Sequence, residues 1–220
     1  MKYNFVEDIR NEFRYLREVG QVRKGTYEIQ AASFIADKPY IFGIPNPDYI
    51  EAELQWYKSQ SLNVNDIKKY YPIVPKIWEE VSDEDGYINS NYGWCIYSKE
   101  NGDQYRRVRD HLWLSPDTRH ATMYYTRPTM HEDQSLNGMR DHMCTYAVSY
   151  HKNYNKVEAH VYMRSNDAIF GYMNDVAWQR HVLYELCNDL SHNNEQIVPG
   201  EIYWHASSLH IYPRHWELIQ

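Results

Sequence analysis

The chain has 220 residues with 23 Lys and Arg against 30 Asp and Glu, a formal charge of −7, which opposes the basic face that a duplex nucleic-acid binder uses to displace counterions. It holds no run of about eighteen apolar residues, and its start, MKYNFVEDIRNEF, is charged and amphipathic without an apolar stretch, so neither a membrane span nor a secretory signal is expected. Cys95, Cys144 and Cys187 are widely spaced without a CxxC pair, which argues for a reducing cytoplasm and against a disulfide framework or zinc knuckle.

A chain of this length buries roughly 70% of its unfolded surface, enough for one domain over residues 1–220. Phe5, Val6, Ile9, Phe13 and Leu16 share one face of a helix over residues 5–17, and YEIQAASFIA after Gly25 has strand character. In NPDYIEAELQWYKS, Asp48 and Glu51 have capping-box spacing, and Ile50, Leu54 and Tyr57 share a helical face on which Glu53 also falls. QYRRVRDHLWL reads as a helix, and HATMYYTR, HMCTYAVSY and VEAHVYMR read as strands of a mostly antiparallel sheet, the last alternating at Val157, Ala159, Val161 and Met163. Val176, Leu183, Leu186, Cys187 and Leu190 mark a long buried helix from about Tyr172 to Leu190. GEIYWHASSLHIY closes as a strand whose parity breaks at Ser207-Ser208, the pattern of a bulge. Repeats and long linkers are absent, and SHNNEQIVPG and RPTMHEDQSLNG are polar loops. The abundant Tyr and Trp are core and interface material rather than a base-stacking platform.

The run MRSND at 163–167 follows Cys144 by about twenty residues and precedes GYMNDVAW. That order places a thiol on one strand, an Arg-Ser pair at the end of the next, and polar groups at a helix start, a layout suited to chemistry on a nucleoside monophosphate. Each residue also has a plainer reading. Cys144 in a strand is either a small buried hydrophobe or, with Arg164 beside it, a nucleophile favoured as thiolate. Glu53 is either half of a buried ion pair or a desolvated acid-base group. Arg164-Ser165 either grips phosphate or makes surface salt bridges. Asp175, expected in the first helical turn, either caps the helix or reads a polar ligand edge. Among the eleven histidines no HExxH occurs, and the spacing of five between His205, His210 and His215 turns successive rings to different faces, so no metal site is expected.

ASFIADKPYIFG, YIEAELQWYKSQSL, KIWEEV, INSNYGW, SPDTR with YTRP, DHMCT, MRSNDAIFGYMNDVAWQ and SLHIYPRH together resemble the thymidylate synthase superfamily nearly end to end, and within it the deoxycytidylate hydroxymethylase branch. The resemblance implies an α+β fold of that family, with Cys144 as nucleophile, Glu53 as the acid-base glutamate, Tyr92 in proton handling, and Arg164 and Ser165 on the phosphate. It implies His210 and Tyr212 on the deoxyribose hydroxyl, and Asp167, Gly171, Ile77 and Trp78 at a site for methylenetetrahydrofolate, with no metal. The synthases read uracil with an asparagine; Asp175 stands at that position. A carboxylate only accepts hydrogen bonds, which suits the cytosine amino group and opposes the uracil carbonyl.

The implied activity is transfer of a one-carbon unit to carbon 5 of dCMP with addition of water, through a Cys144 adduct. The alternatives are thymidylate synthesis, hydroxymethylation of dUMP, methylation of dCMP, or binding of a nucleotide without catalysis. The resemblance also implies a homodimer in the cytoplasm of a phage-infected bacterium, with other nucleotide-synthesis enzymes as possible partners and without nucleic acid or membrane binding. Arg119 is then expected to serve the neighbouring subunit's phosphate, and Arg23 matches an N-terminal phosphate arginine. Thr145 replaces the histidine usual after the cysteine, and His120 replaces the second arginine of an Arg-Arg pair. The sequence runs eight residues past Tyr212, short of the tail that closes over folate in synthases, which leaves lid closure open.

Overall fold

A computed structural model describes residues 4–127, 129–192 and 195–220. Helix α1 (Val6–Glu18) buries Val6, Ile9, Phe13 and Leu16, while Phe5, assigned to that face from its spacing, is the exposed N-cap. Strand β1 (Tyr27–Ile35) follows, then α2 (Pro47–Lys58). The expected Asp48–Glu51 capping box does not form. Asn46 caps α2 instead, its side chain accepting from Tyr49 N, because Pro47 fills the first helical position, where no N–H is needed. The buried face of α2 is Ala52, Glu53, Trp56 and Tyr57, with Ile50 and Leu54 only half-buried.

Short helices α3 (Lys76–Val81) and α4 (Tyr92–Tyr97) lead to α5 (Gln104–Leu114), which matches the expected segment residue for residue. Gly93 decides where α4 sits. A Cβ there would lie 1.8 Å from the carbonyl oxygen of Tyr57, so only glycine allows the α4 backbone to rest on α2. Strand β2 is only Thr122–Tyr124, and α6 (Met130–Asp133) is a single turn.

Strands β3 (Thr145–Asn153), β4 (Lys156–Met163), β5 (Asn166–Asp167) and β6 (Val198–Ile211) complete a six-stranded sheet of order β1-β6-β4-β3-β2, with β5 beside β6. The sheet is mostly antiparallel, as expected, with β1–β6, β2–β3 and β3–β4 so paired, and mixed at its centre. Strands β4 and β5 run parallel to β6 because the connection between them is a crossover through α7 (Phe170–Leu190). That helix buries Tyr172, Val176, Trp178, Val182, Leu183 and Leu186 against β4 and β6. Its apolar residues extend around most of its circumference because α2 and α5 pack on its other side.

The parity of β6 does break at Ser207-Ser208: Ile202, Trp204 and Ala206 are buried, then Leu209 and Ile211. The cause is not a bulge against β1, because the pairing stays in register from Tyr27↔Ile211 to Ile35↔Tyr203. Both strands change parity together where Ala31, opposite, turns to φ +50°.

Candidate active site

Five elements converge on one cleft. Helix α2 supplies Glu53, α4 supplies Tyr92, the turn before β3 supplies Cys144, β5 supplies Asn166, and the second turn of α7 supplies Asp175. Cys144 therefore precedes the strand rather than lying in it, and Asp175 is past the first helical turn, too far along to cap α7. Asp167 fills that role: its oxygens accept from Ile169 N at 3.1 Å and Phe170 N at 3.3 Å.

Glu53 is 5% exposed and, among the described residues, has no ion-pair partner; its Oε1 accepts from the Tyr49 hydroxyl at 2.5 Å and from Trp78 Nε1 at 3.3 Å. Burial raises its pKa to about 7, against the pull of those two donors. Among the described residues Glu53 is thus a desolvated carboxyl held by two neutral donors and not half of a buried ion pair.

Asp175 is likewise raised to about 7, first by burial and then by the charge of Glu53, while Tyr92 and Asn166 hold it down. The Tyr92 hydroxyl donates to Oδ1 at 3.0 Å and Asn166 Nδ2 to Oδ2 at 2.8 Å. Two buried carboxyls thus stand near neutrality in one cluster, the charge of Glu53 adding to the rise at Asp175.

The sequence pairing of Arg164 with the thiol is present: Arg164 Nη2 lies 3.7 Å from Cys144 Sγ. Arg164 favours the thiolate, but burial, and then the charge of Asp175, outweigh it and push the thiol up to about 12. Arg164 is exposed, and its guanidinium also donates to the carbonyls of Met143 and His142 at 3.2 Å each, which fixes the fork at the mouth of the cleft beside half-buried Ser165.

His210 and Tyr212 stand together at the end of β6, with ring centroids 4.8 Å apart, and His210 pairs with Asp167 across β5. Burial lowers the His210 pKa, which favours a neutral ring. Trp78 packs edge-on against Trp56 and reaches Glu53, whereas neighbouring Ile77 is exposed. Gly171 backs onto Asn166 and Asp167.

Two arginines stand apart. Arg119 is exposed on the loop between α5 and β2 and, among the described residues, makes no hydrogen bond or ion pair with the cluster. Arg23 is held by Glu28 at 3.2 Å and by Gln30 on β1. Sequence reasoning missed two polar residues of the cleft. Asn166 lies inside the MRSND run that was singled out, and Thr145, noted only as a departure, is fully buried and donates to the Tyr92 hydroxyl at 3.1 Å.

A thymidylate synthase family model matches residues 46–220. The chain belongs to the thymidylate synthase family. It is 48% identical over 196 residues to the deoxycytidylate 5-hydroxymethyltransferase of Enterobacteria phage T4, a match spanning 88% of this chain and 78% of the relative. The same figures hold for the enzyme of that name from Enterobacteria phage T6. Thymidylate synthase of Bacillus atrophaeus is more distant, 28% identical over 171 residues, covering 74% of this chain and 69% of the relative. Family membership accounts for the α+β architecture, and the cleft described above occupies the end of the sheet where β3, β4 and β5 meet α7.

Proposed function

We propose that this chain is a deoxycytidylate 5-hydroxymethyltransferase, adding a one-carbon unit and water to carbon 5 of dCMP. The observation that carries this reading is Asp175, whose two oxygens already receive donors from Tyr92 and Asn166. An ionised carboxyl held in that way offers only lone pairs to a base. Cytosine presents an amino donor, and a proton on its ring nitrogen 3 supplies a second; uracil would direct a carbonyl oxygen at the same group.

Cys144 adds to carbon 6, which makes carbon 5 nucleophilic. The high thiol pKa means that substrate must help: once the base pairs with Asp175, the negative charge that opposes the thiolate is offset, while Arg164 remains beside the sulfur. Glu53, poised near neutrality, and Tyr92 organise the water that removes the carbon 5 proton. Arg164 and Ser165 hold the phosphate, and His210 and Tyr212 the deoxyribose hydroxyl. Methylenetetrahydrofolate supplies the one-carbon unit. Exposed Ile77, half-buried Trp78 and the backbone at Asp167 and Gly171 fit its ring system, since they leave an apolar flank open beside Glu53.

The active form is a homodimer. Arg119 does not reach the cleft of its own chain, so the phosphate grip is incomplete in one subunit. The sheet face turned away from α7 carries Tyr146, His151, His160, Tyr162, Tyr203 and His205 in a run of ring contacts, a surface suited to a second copy. Arg23 joins the phosphate grip on substrate entry by exchanging Gln30 for the anion. Among the described residues no helix is long and apolar enough to cross a membrane, and the host cytoplasm is the compartment where dCMP and folate meet.

The test is mass spectrometry of product formed from methylenetetrahydrofolate and equal dCMP and dUMP. Gain of CH₂O on dCMP alone is expected. Gain of CH₂, or conversion of dUMP, would assign the chain to a methylating or uracil-directed activity, and absence of product would assign it to nucleotide binding.

A further inference from the structure

We propose that Asn166 is a positioning residue that keeps Asp175 an acceptor at both oxygens, and so sets the preference for cytosine over uracil. This inference rests on the dCMP reading above. Asn166 is 3% exposed and fixed at both ends of its amide: Oδ1 accepts from Trp204 Nε1 at 3.2 Å, and Nδ2 donates to Asp175 Oδ2 at 2.8 Å. An indole nitrogen can only donate, so the amide cannot turn over without setting two donors against each other. Trp204 is itself fully buried and has no freedom to yield.

A second chain of donors arrives from the other side. Thr145 Oγ1 donates to the Tyr92 hydroxyl at 3.1 Å, leaving the Tyr92 proton for Asp175 Oδ1 at 3.0 Å. Trp204–Asn166 and Thr145–Tyr92 thus converge on one carboxyl. Gly171 keeps the junction open, because a Cβ there would lie 3.3 Å from Asn166 Nδ2 and 3.8 Å from Asp175 Oδ2.

The consequence concerns the proton. Burial beside Glu53 drives Asp175 toward its neutral form, and a neutral carboxyl can serve uracil as well as cytosine. Its O–H can meet the carbonyl at carbon 4 while its other oxygen accepts from N3–H. An amide donor fixed on Oδ2 stabilises the ionised form and opposes a proton on that oxygen. Discrimination therefore requires the one proton of the pair to sit on ring nitrogen 3 of cytosine while the carboxyl stays ionised, a placement that the far less basic carbonyl oxygen of uracil does not support, and Asn166, donating to Oδ2, favours that placement.

The experiment is equilibrium binding of dCMP and of dUMP, without folate, between about pH 5.5 and 8.5 to the wild-type protein, Asn166→Leu, Asp175→Asn and the double variant. In wild type the dCMP complex holds one proton between Asp175 and ring nitrogen 3, so dCMP affinity should fall as pH rises above the Asp175 titration. Asn166→Leu should move that midpoint upward and lower the dCMP-to-dUMP affinity ratio at neutral pH about ten- to a hundredfold. In the Asp175→Asn background the same substitution should change neither quantity. Should Asn166→Leu fail to fold, Asn166→Ala, which removes both amide contacts without adding bulk, takes its place. A folded variant with an unchanged ratio and midpoint, while Asp175→Asn reverses the preference, overturns the positioning role and leaves the proposed function standing. A wild-type protein that binds both nucleotides equally overturns both.

Discussion

At the end of the cleft proposed to read the base, Glu53, Tyr92 and Asp175 are each held by donors from the same chain, whereas at the end proposed to hold the phosphate Arg164 is exposed and Arg119 stands on the loop between α5 and β2. The difference follows from what each end must do. A group that transfers protons needs a perturbed pKa, and perturbation by burial is only tolerable when the remaining polar atoms are partnered. A phosphate needs only charge and a fork of donors, which can remain solvated and can come from another subunit. One chain therefore prefolds the chemistry and leaves the anchoring open.

The largest effect is expected where the two ends meet, at the sulfur. Cys144→Ala should abolish product formation while leaving dCMP binding within a few-fold of wild type, as isotope release from carbon 5 and equilibrium dialysis would read; residual turnover above about 10⁻³ of wild type would assign the nucleophile elsewhere. Asp175→Asn comes next. Exchange of one acceptor for a donor should shift the kcat/KM ratio toward dUMP by on the order of 10⁴, and an unchanged ratio would remove the base-reading role.

A smaller effect should come from the phosphate end. Arg119→Ala is expected to weaken dCMP binding about ten- to a hundredfold by loss of one charge-assisted contact. Mixing separates a contact in trans from one in cis. In a hybrid of Cys144→Ala and Arg119→Ala subunits, one cleft has its own Cys144 and its partner's intact Arg119, so activity at low dCMP should rise above that of either parent. If it does not, Arg119 serves its own chain or none, and the contrast between a prefolded end and a shared end fails.

Residues whose role follows from their own position were legible in the sequence. Glu53 stood out because a carboxylate on the apolar face of a helix needs a reason, and α5 and α7 announced themselves by periodicity. Roles that arise from distant partners were not legible. Thr145 meets Tyr92 across 53 residues and Asn166 meets Trp204 across 38, and nothing in their local pattern distinguishes them from other small polar residues at a strand end. The mostly antiparallel sheet was legible, but where its parallel pairing falls was not, for the same reason: β4 and β6 each alternate as any half-buried strand does, and only the passage of α7 between them sets their relative direction. At the thiol, the influence of Arg164 was legible from the sequence pattern, while the opposing influences, burial and Asp175, come from the assembled cleft.

The last expectation concerns stability at the base-reading end. Glu53 has its pKa raised from 4.5 to about 7 in the folded protein, so between those values the native state holds a proton that the unfolded chain has lost. Stability therefore falls as pH rises through that window, and above about pH 7 the full cost of a buried, ionised Glu53 is present. Glu53→Gln removes the titration while its amide oxygen can still accept from Tyr49 and Trp78. The variant should melt close to wild type near pH 5 and a few degrees above it near pH 8, with turnover lost at both. Equal melting temperatures at pH 8 would mean that Glu53 is ionised without strain, and would place it with the solvated, anchoring end of the cleft rather than with the prefolded one.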